Sequence, residues 1–175
     1  MINDLLPIFT LVLGIFLISF GIYFFIIYFF KYDKQLEEIK YYFNLIGGEL
    51  IFFISLVATL GSLYYSEILN YNPCLLCWYQ RIFMYPLVII SAVYIWKKSK
   101  DLIYAILPIS LLGAFFAGYH YYTQFLPSVM ICSLEGDCSL KEFISFGYIT
   151  IPMMALTGFI AIIIISVILL KIKKK

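Results

Sequence analysis

Five long apolar stretches limit this chain to folds that live in a bilayer. They run from Leu5 to Phe30, Leu45 to Ser66, Trp78 to Trp96, Leu102 to Tyr122 and Phe146 to Leu170. A helix needs roughly 20 apolar residues to cross the hydrocarbon core. Lipid offers the backbone no hydrogen-bond partner, so each segment must satisfy its own N–H and C=O groups as a helix. The expectation is an all-α membrane protein whose helices pack as one bundle. Composition agrees, with 64% hydrophobic and 13% charged residues among 175. A soluble domain carries about 45–50% apolar residues and about 25% charge. The chain shows no soluble domain and no internal repeat.

The first stretch differs from a secretory signal, which has a basic leading end and an apolar core of about 7–15 residues. Here Asp4 precedes the run and the run itself is much longer. It reads as a retained helix.

Lysine and arginine in short loops favour the cytoplasmic side. Lys31, Lys34 and Lys40 lie between the first two stretches, and Lys97, Lys98 and Lys100 between the third and fourth. Lys171, Lys173, Lys174 and Lys175 form the tail, while the alternate loops hold only Arg81 and Lys141. This predicts an outward amino terminus and a cytoplasmic carboxy terminus, with outer loops at about 67–77 and 123–145. The tail also fits a eukaryotic dilysine pattern, but a basic anchor explains the same residues. The net charge of +2 says little about partners, because the lysines are segregated by position, and no nucleic acid is expected.

All four cysteines, Cys74, Cys77, Cys132 and Cys138, fall in the outer loops or at their edges. Disulfides persist in extracytoplasmic compartments and are rare in the cytosol, so their placement predicts a functional or structural role there. Residues 72–81 read Asn-Pro-Cys-Leu-Leu-Cys-Trp-Tyr-Gln-Arg. Asn72 is a good N-cap and Pro73 a good first helical residue, which predicts that the third span starts there. Cys74 and Cys77 then share one face of its first turn, where free N–H groups and the helix dipole favour a thiolate. Arg81 falls on the same face. It either holds a polar ligand head or snorkels to lipid phosphate. A Cys-x-x-Cys alone serves redox and zinc sites alike; the helix start and the arginine favour redox chemistry.

Cys132 and Cys138 bracket Ser-Leu-Glu-Gly-Asp, whose Gly136 and Asp137 are turn formers, so the chain is expected to be able to double back and bring the two sulfurs together. An exposed disulfide there would be either a labile, thiol-accepting bond or a structural staple. His120, the single histidine, lies near the outer end of the fourth span, level with Arg81. It is either a packing residue or a proton or hydrogen-bond donor to a quinone carbonyl, with Gln124 one turn on. Pro86, Pro108 and Pro152 fall inside predicted spans.

The decapeptide around Cys74 and Cys77 resembles the disulfide bond formation protein B family, DsbB, and more closely its BdbC-like branch. The likeness continues through Tyr119-His120-Tyr121-Tyr122-Thr123-Gln124, the Cys132/Cys138 loop and Phe146-Gly147-Tyr148-Ile149-Thr150-Ile151-Pro152. It implies a four-helix transmembrane bundle of DsbB type, with Leu5–Phe30 as one extra N-terminal transmembrane helix. The implied organisation is an extra helix at 1–31, a cytoplasmic linker at 32–44, the bundle at 45–171 and a basic tail at 172–175. The implied activity is reoxidation of a DsbA-like thioredoxin-fold thiol oxidase in a bacterial plasma membrane, with electrons passed to ubiquinone or menaquinone in the membrane's quinone pool. The resemblance makes Cys132 and Cys138 the pair that exchanges with the partner and Cys74 and Cys77 the pair next to quinone. It makes Arg81 the quinone-binding residue and puts His120 close by.

Other classes stay in view: a four-cysteine zinc site in a membrane scaffold, and a transporter or scaffold braced by two structural disulfides. In vitamin K epoxide reductase the Cys-x-x-Cys comes late in the bundle, whereas here it opens the third span.

Overall fold

The computed structural model describes residues 6–17, 19, 33–125 and 143–171. Five helices follow in chain order. Helix α1 is Leu6–Leu17, α2 is Asp33–Leu63, α3 is Leu75–Lys97, α4 is Lys100–Thr123 and α5 is Ile151–Lys171. Stretches in α2 to α5 are long and apolar enough to cross a membrane. Of the first predicted span only α1 and residue 19 are described. Residues 33–44, read as the greater part of a linker, are helical and run straight into the span of α2.

Helices α2, α3, α4 and α5 form a closed ring. Each packs on its chain neighbour, α5 returns to α2, and the diagonal pair α3 and α5 touch only lightly. Short connections between α2, α3 and α4 make those neighbours antiparallel. Ile51, Leu87, Ile106, Phe159 and Ile162 fill the centre with no exposed surface. Outward-facing apolar side chains such as Ile89, Trp96, Tyr104 and Phe115 are more than 60% exposed. A soluble protein rarely leaves so many of these open; here they meet lipid. The result is a multi-pass all-α membrane bundle.

Two helix starts lie later than the sequence predicts. Cys74, not Asn72, is the N-cap of α3, with extended backbone (ψ 170), and its carbonyl accepts the first intrahelical bond from the Trp78 N–H at 3.1 Å. The proline at 73 restricts Asn72 to extended geometry, and the extended backbone persists through Cys74. Likewise α5 begins at Ile151 instead of Phe146. Phe146 (φ 52) and Gly147 (φ 79) are left-handed, a conformation that ends regular helix and suits glycine. Ser145 and Ile149 close the turn with two backbone bonds of 2.9 Å. Pro152 therefore sits in the first turn of α5, where its missing N–H costs nothing. Pro86 and Pro108 do lie inside α3 and α4.

The end of α2 widens into a π-turn, Tyr64–Ile68, closed by the Leu69 N–H on the Tyr64 carbonyl at 3.2 Å. Asn70, left-handed at φ 55, then terminates the helix, as asparagine does with little strain. This wide turn stands beside the start of α3, where the cysteines are.

Candidate functional site

The start of α3 and the last turn of α4 lie at the same end of the bundle and bring four polar side chains together. Cys74 and Cys77 are thiols whose sulfurs are 3.5 Å apart. N-cap and N3 positions on one helix bring them this close. His120, only 3% exposed, reaches across from α4. Its Nε2 is 3.6 Å from Cys74 Sγ and its Nδ1 4.0 Å from Cys77 Sγ.

Gln80 completes the cluster. One turn beyond Cys77 and also buried, it directs its amide nitrogen to His120 Nδ1 at 2.8 Å. An amide N–H donating to Nδ1 leaves the imidazole proton on Nε2, the nitrogen nearest Cys74. Gln80 therefore sets the tautomer and holds the ring. On the other side of His120, its carbonyl accepts from Thr123 Oγ1 at 2.8 Å.

Cys74 precedes the span of α3. Its thiol is drawn from the ordinary 9.0 to about 4, first by the hydrogen bond with the Cys77 thiol and then by that from His120, against the opposing effect of burial. The surroundings of Cys74 thus favour its thiolate.

A cleft of about 120 Å³ opens beside the pair. Cys77, Gln80 and Arg81 form its wall on α3, and Ser62, Tyr65 and Ser66 face them from α2 and the π-turn. Arg81 donates through Nε to Ser62 Oγ at 2.9 Å and through an Nη to the Ser62 carbonyl at 3.2 Å. Its guanidinium lies 5.3 Å from the centre of the Trp78 ring, a cation–π distance. Two of its five N–H donors are used in this way. The side chain is a fixed part of the cleft rather than a tether reaching for headgroups. The order of groups is His120 and Cys74 behind, Cys77 between, and the cleft with Arg81 in front.

The spacing of Cys74, Cys77 and Arg81 predicts one helical face; Cys77 and Arg81 line the cleft together, and Cys74 stands behind Cys77, against His120. The structure brings His120 to the sulfurs rather than to the cleft wall. Gln80 belongs to the same decapeptide; its spacing of three from Cys77 is its only signal in the sequence, and its partner, His120, lies forty residues away. Gln124 is buried, and its side-chain oxygen has no partner among the described residues. Cys132 and Cys138 lie outside the described residues. The sulfurs and imidazole nitrogens of Cys74, Cys77 and His120 lie within 4.8 Å of one another, so the trio also has the donor set of a soft metal site.

The chain is similar to proteins of known kind. The family described as "Disulfide bond formation protein DsbB" matches residues 48–169. "Probable disulfide formation protein C 1" of Bacillus anthracis is 44% identical over 125 residues, 68% of this chain and 88% of that protein. "Disulfide bond formation protein C" of Bacillus subtilis is 44% identical over 114 residues, 63% of this chain and 83% of that protein. The "SPbeta prophage-derived disulfide bond formation protein B" of the same organism is 41% identical over 108 residues, 61% of this chain and 73% of that protein. No solved structure matches. The match runs from within α2 into α5 and takes in both cysteine pairs; the chain belongs to the DsbB family, in its BdbC-like branch.

Proposed function

We propose that this oxidoreductase of the disulfide-forming family reoxidises an extracytoplasmic thioredoxin-fold thiol oxidase and passes the electrons to quinone. The observation that carries the reading is the thiolate-forming pair, Cys74 and Cys77, set between a buried histidine and a cleft walled by Arg81. The segregation of lysines supports an orientation with the cysteines on the extracytoplasmic face of a bacterial plasma membrane.

The chemistry follows from thiolate exchange. A thiolate of the partner attacks the Cys132–Cys138 disulfide, and one loop sulfur leaves as a thiolate while a mixed disulfide forms. The partner's second thiolate displaces the other loop sulfur, so the partner is oxidised and the loop holds two thiols. A loop thiolate next attacks Cys74, the Cys74–Cys77 bond breaks, and closure of the loop disulfide releases both sulfurs reduced. The Cys74–Cys77 disulfide reforms as two electrons and two protons leave the pair on the cleft side, where Cys77 stands.

The cleft fits a quinone ring in donor chemistry, with Arg81 and Gln80 able to face its carbonyl oxygens and Cys77 its edge. A quinone held there would supply the acceptor for the electron pair and both protons. The fixed charge of Arg81 favours negative charge on a group beside it. The Nε2 proton of His120 steadies the Cys74 thiolate. The same trio of donors would suit zinc, and a metal bound at one per chain that blocks turnover would favour a scaffold reading.

The exchange half is tested by trapping. With Cys132 or Cys138 replaced by Ser, the remaining loop thiolate should attack the disulfide of the oxidised partner, release one partner sulfur as a thiolate and hold the partner in a mixed disulfide visible on a non-reducing gel. Absence of the adduct from both variants, with folded protein and a competent partner, would contradict the reading.

A further inference from the structure

Helix α1 lies outside the family match, which begins at residue 48, yet it forms a wall of the cleft. Leu6, Phe9, Thr10 and Leu13 line it together with Cys77 and Arg81. Their spacing of three and four is one face of a helix. The opposite face carries Val12 and Ile15, each 58% exposed. Thus α1 is a two-sided helix, with lipid on one side and the cleft on the other.

Its seat on α2 is specific. Gly61 admits the Leu6 side chain so closely that a Cβ there would lie 3.0 Å from Leu6 Cδ2. Phe9 meets the ring of Phe53 edge-on at 6.3 Å. Thr10 is buried with its hydroxyl donating to the Leu6 carbonyl at 2.9 Å, so its proton is committed within α1. Leu13 and Leu17 pack against the core of the bundle.

The cleft therefore has two chemical halves. Cys77, Gln80, Arg81 and Ser62 supply donors and sulfur at one part of the wall; Leu6, Phe9 and Leu13, with Ile54, Val57 and Met84, supply hydrocarbon. A redox ring carrying an isoprenoid chain has the same division. We propose that α1 is the specificity-determining wall for the hydrocarbon tail of the quinone, with Phe9 and Leu13 as its contact residues. This rests on the quinone reading above.

Equilibrium binding to the purified full-length chain tests it, independently of turnover. The probes are naphthoquinone and benzoquinone rings, each with an isoprenoid tail or with a methyl group in its place. Phe9→Ala and Leu13→Ala each weaken tailed-quinone binding by about three- to tenfold, as loss of a few apolar contacts does. Binding of the methyl forms stays unchanged, which also reports that the variants are folded. Val12→Ala and Ile15→Ala leave both unchanged. A photoreactive group on the tail labels the peptide 6–17. Equal weakening for tailed and tail-less probes, equal effects from the outward-facing variants, or no label on 6–17 would overturn the proposal. Label and binding shift without turnover would sink the catalytic reading and leave the wall. Turnover without either would do the reverse, and no binding of any probe would remove both.

Discussion

The two ends of the α3–α4 pair are built from opposite physics. At the cysteine end, Cys74, Gln80 and His120 are each at most 6% exposed and joined side chain to side chain. At the lysine end, the turn between the helices rests on a left-handed Lys98 whose N–H bonds the Tyr94 carbonyl. The Lys98 ammonium pairs with Glu49 at 3.2 Å, both side chains about half exposed. Burying polar groups is unfavourable unless each finds a partner, and removing one partner then costs about 1–3 kcal/mol. An exposed ion pair is worth about 0–1 kcal/mol. One end spends stability on a fixed arrangement of reactive groups; the other tolerates almost any loop that turns the chain. That contrast locates chemistry without reference to any relative.

The contrast is broken most severely by His120→Ala. Turnover should fall by roughly a hundredfold, the range for a lost proton donor or acceptor, and the Cys74 thiolate should titrate higher. Ultraviolet absorbance of the thiolate against pH, in a chain with Cys132 and Cys138 replaced by Ser, reads this. In the parent the Cys74 pKa is lowered from 9.0 to about 4, so the thiolate is present at neutral pH and disappears only as the pH falls through about 4. A parent thiolate that appears only near 9.0 would contradict the geometry.

A smaller effect is expected from Gln80→Leu, which removes the donor to His120 Nδ1 and frees the tautomer. Loss of about 1 kcal/mol of hydrogen bonding corresponds to roughly a fivefold drop in turnover. It should also raise the Cys74 titration, which a purely structural role for Gln80 would leave alone. The smallest effect belongs to the other end. Lys98→Ala should change stability by less than about 1 kcal/mol and leave turnover as it was. A clear loss of activity there would mean that the two ends are coupled.

The sequence made the spans legible because run length alone separates a membrane helix from a loop; α3 to α5 stand within a few residues of the predicted stretches, whereas α2 begins at Asp33, well before its predicted start at Leu45. Their starts were less legible. The rule that favours Asn72 and Pro73 at a helix start is local, whereas Cys74 is the cap. Phe146 reads as part of an apolar run, and only its left-handed φ shows that it belongs to a turn. The face of α3 that carries Cys74, Cys77 and Arg81 followed from helical spacing. What meets that face did not. In a helix apolar all round, no amphipathic stripe separates the neighbour side from the lipid side. The pairing of Gln80 with His120, and the descent of α1 onto the cleft, are tertiary facts with no local signature.

The central claim is that Cys77 stands on the electron path between the cysteine pair and a quinone in the cleft. The direct measurement is quinone absorbance with purified protein and a reduced thioredoxin-fold thiol oxidase, comparing the parent with Cys77→Ser. The account predicts partner-dependent quinone reduction by the parent and none above background by the variant. Reduction at the parental rate by Cys77→Ser would contradict it, as would a folded parent that reduces neither ubiquinone nor menaquinone analogues.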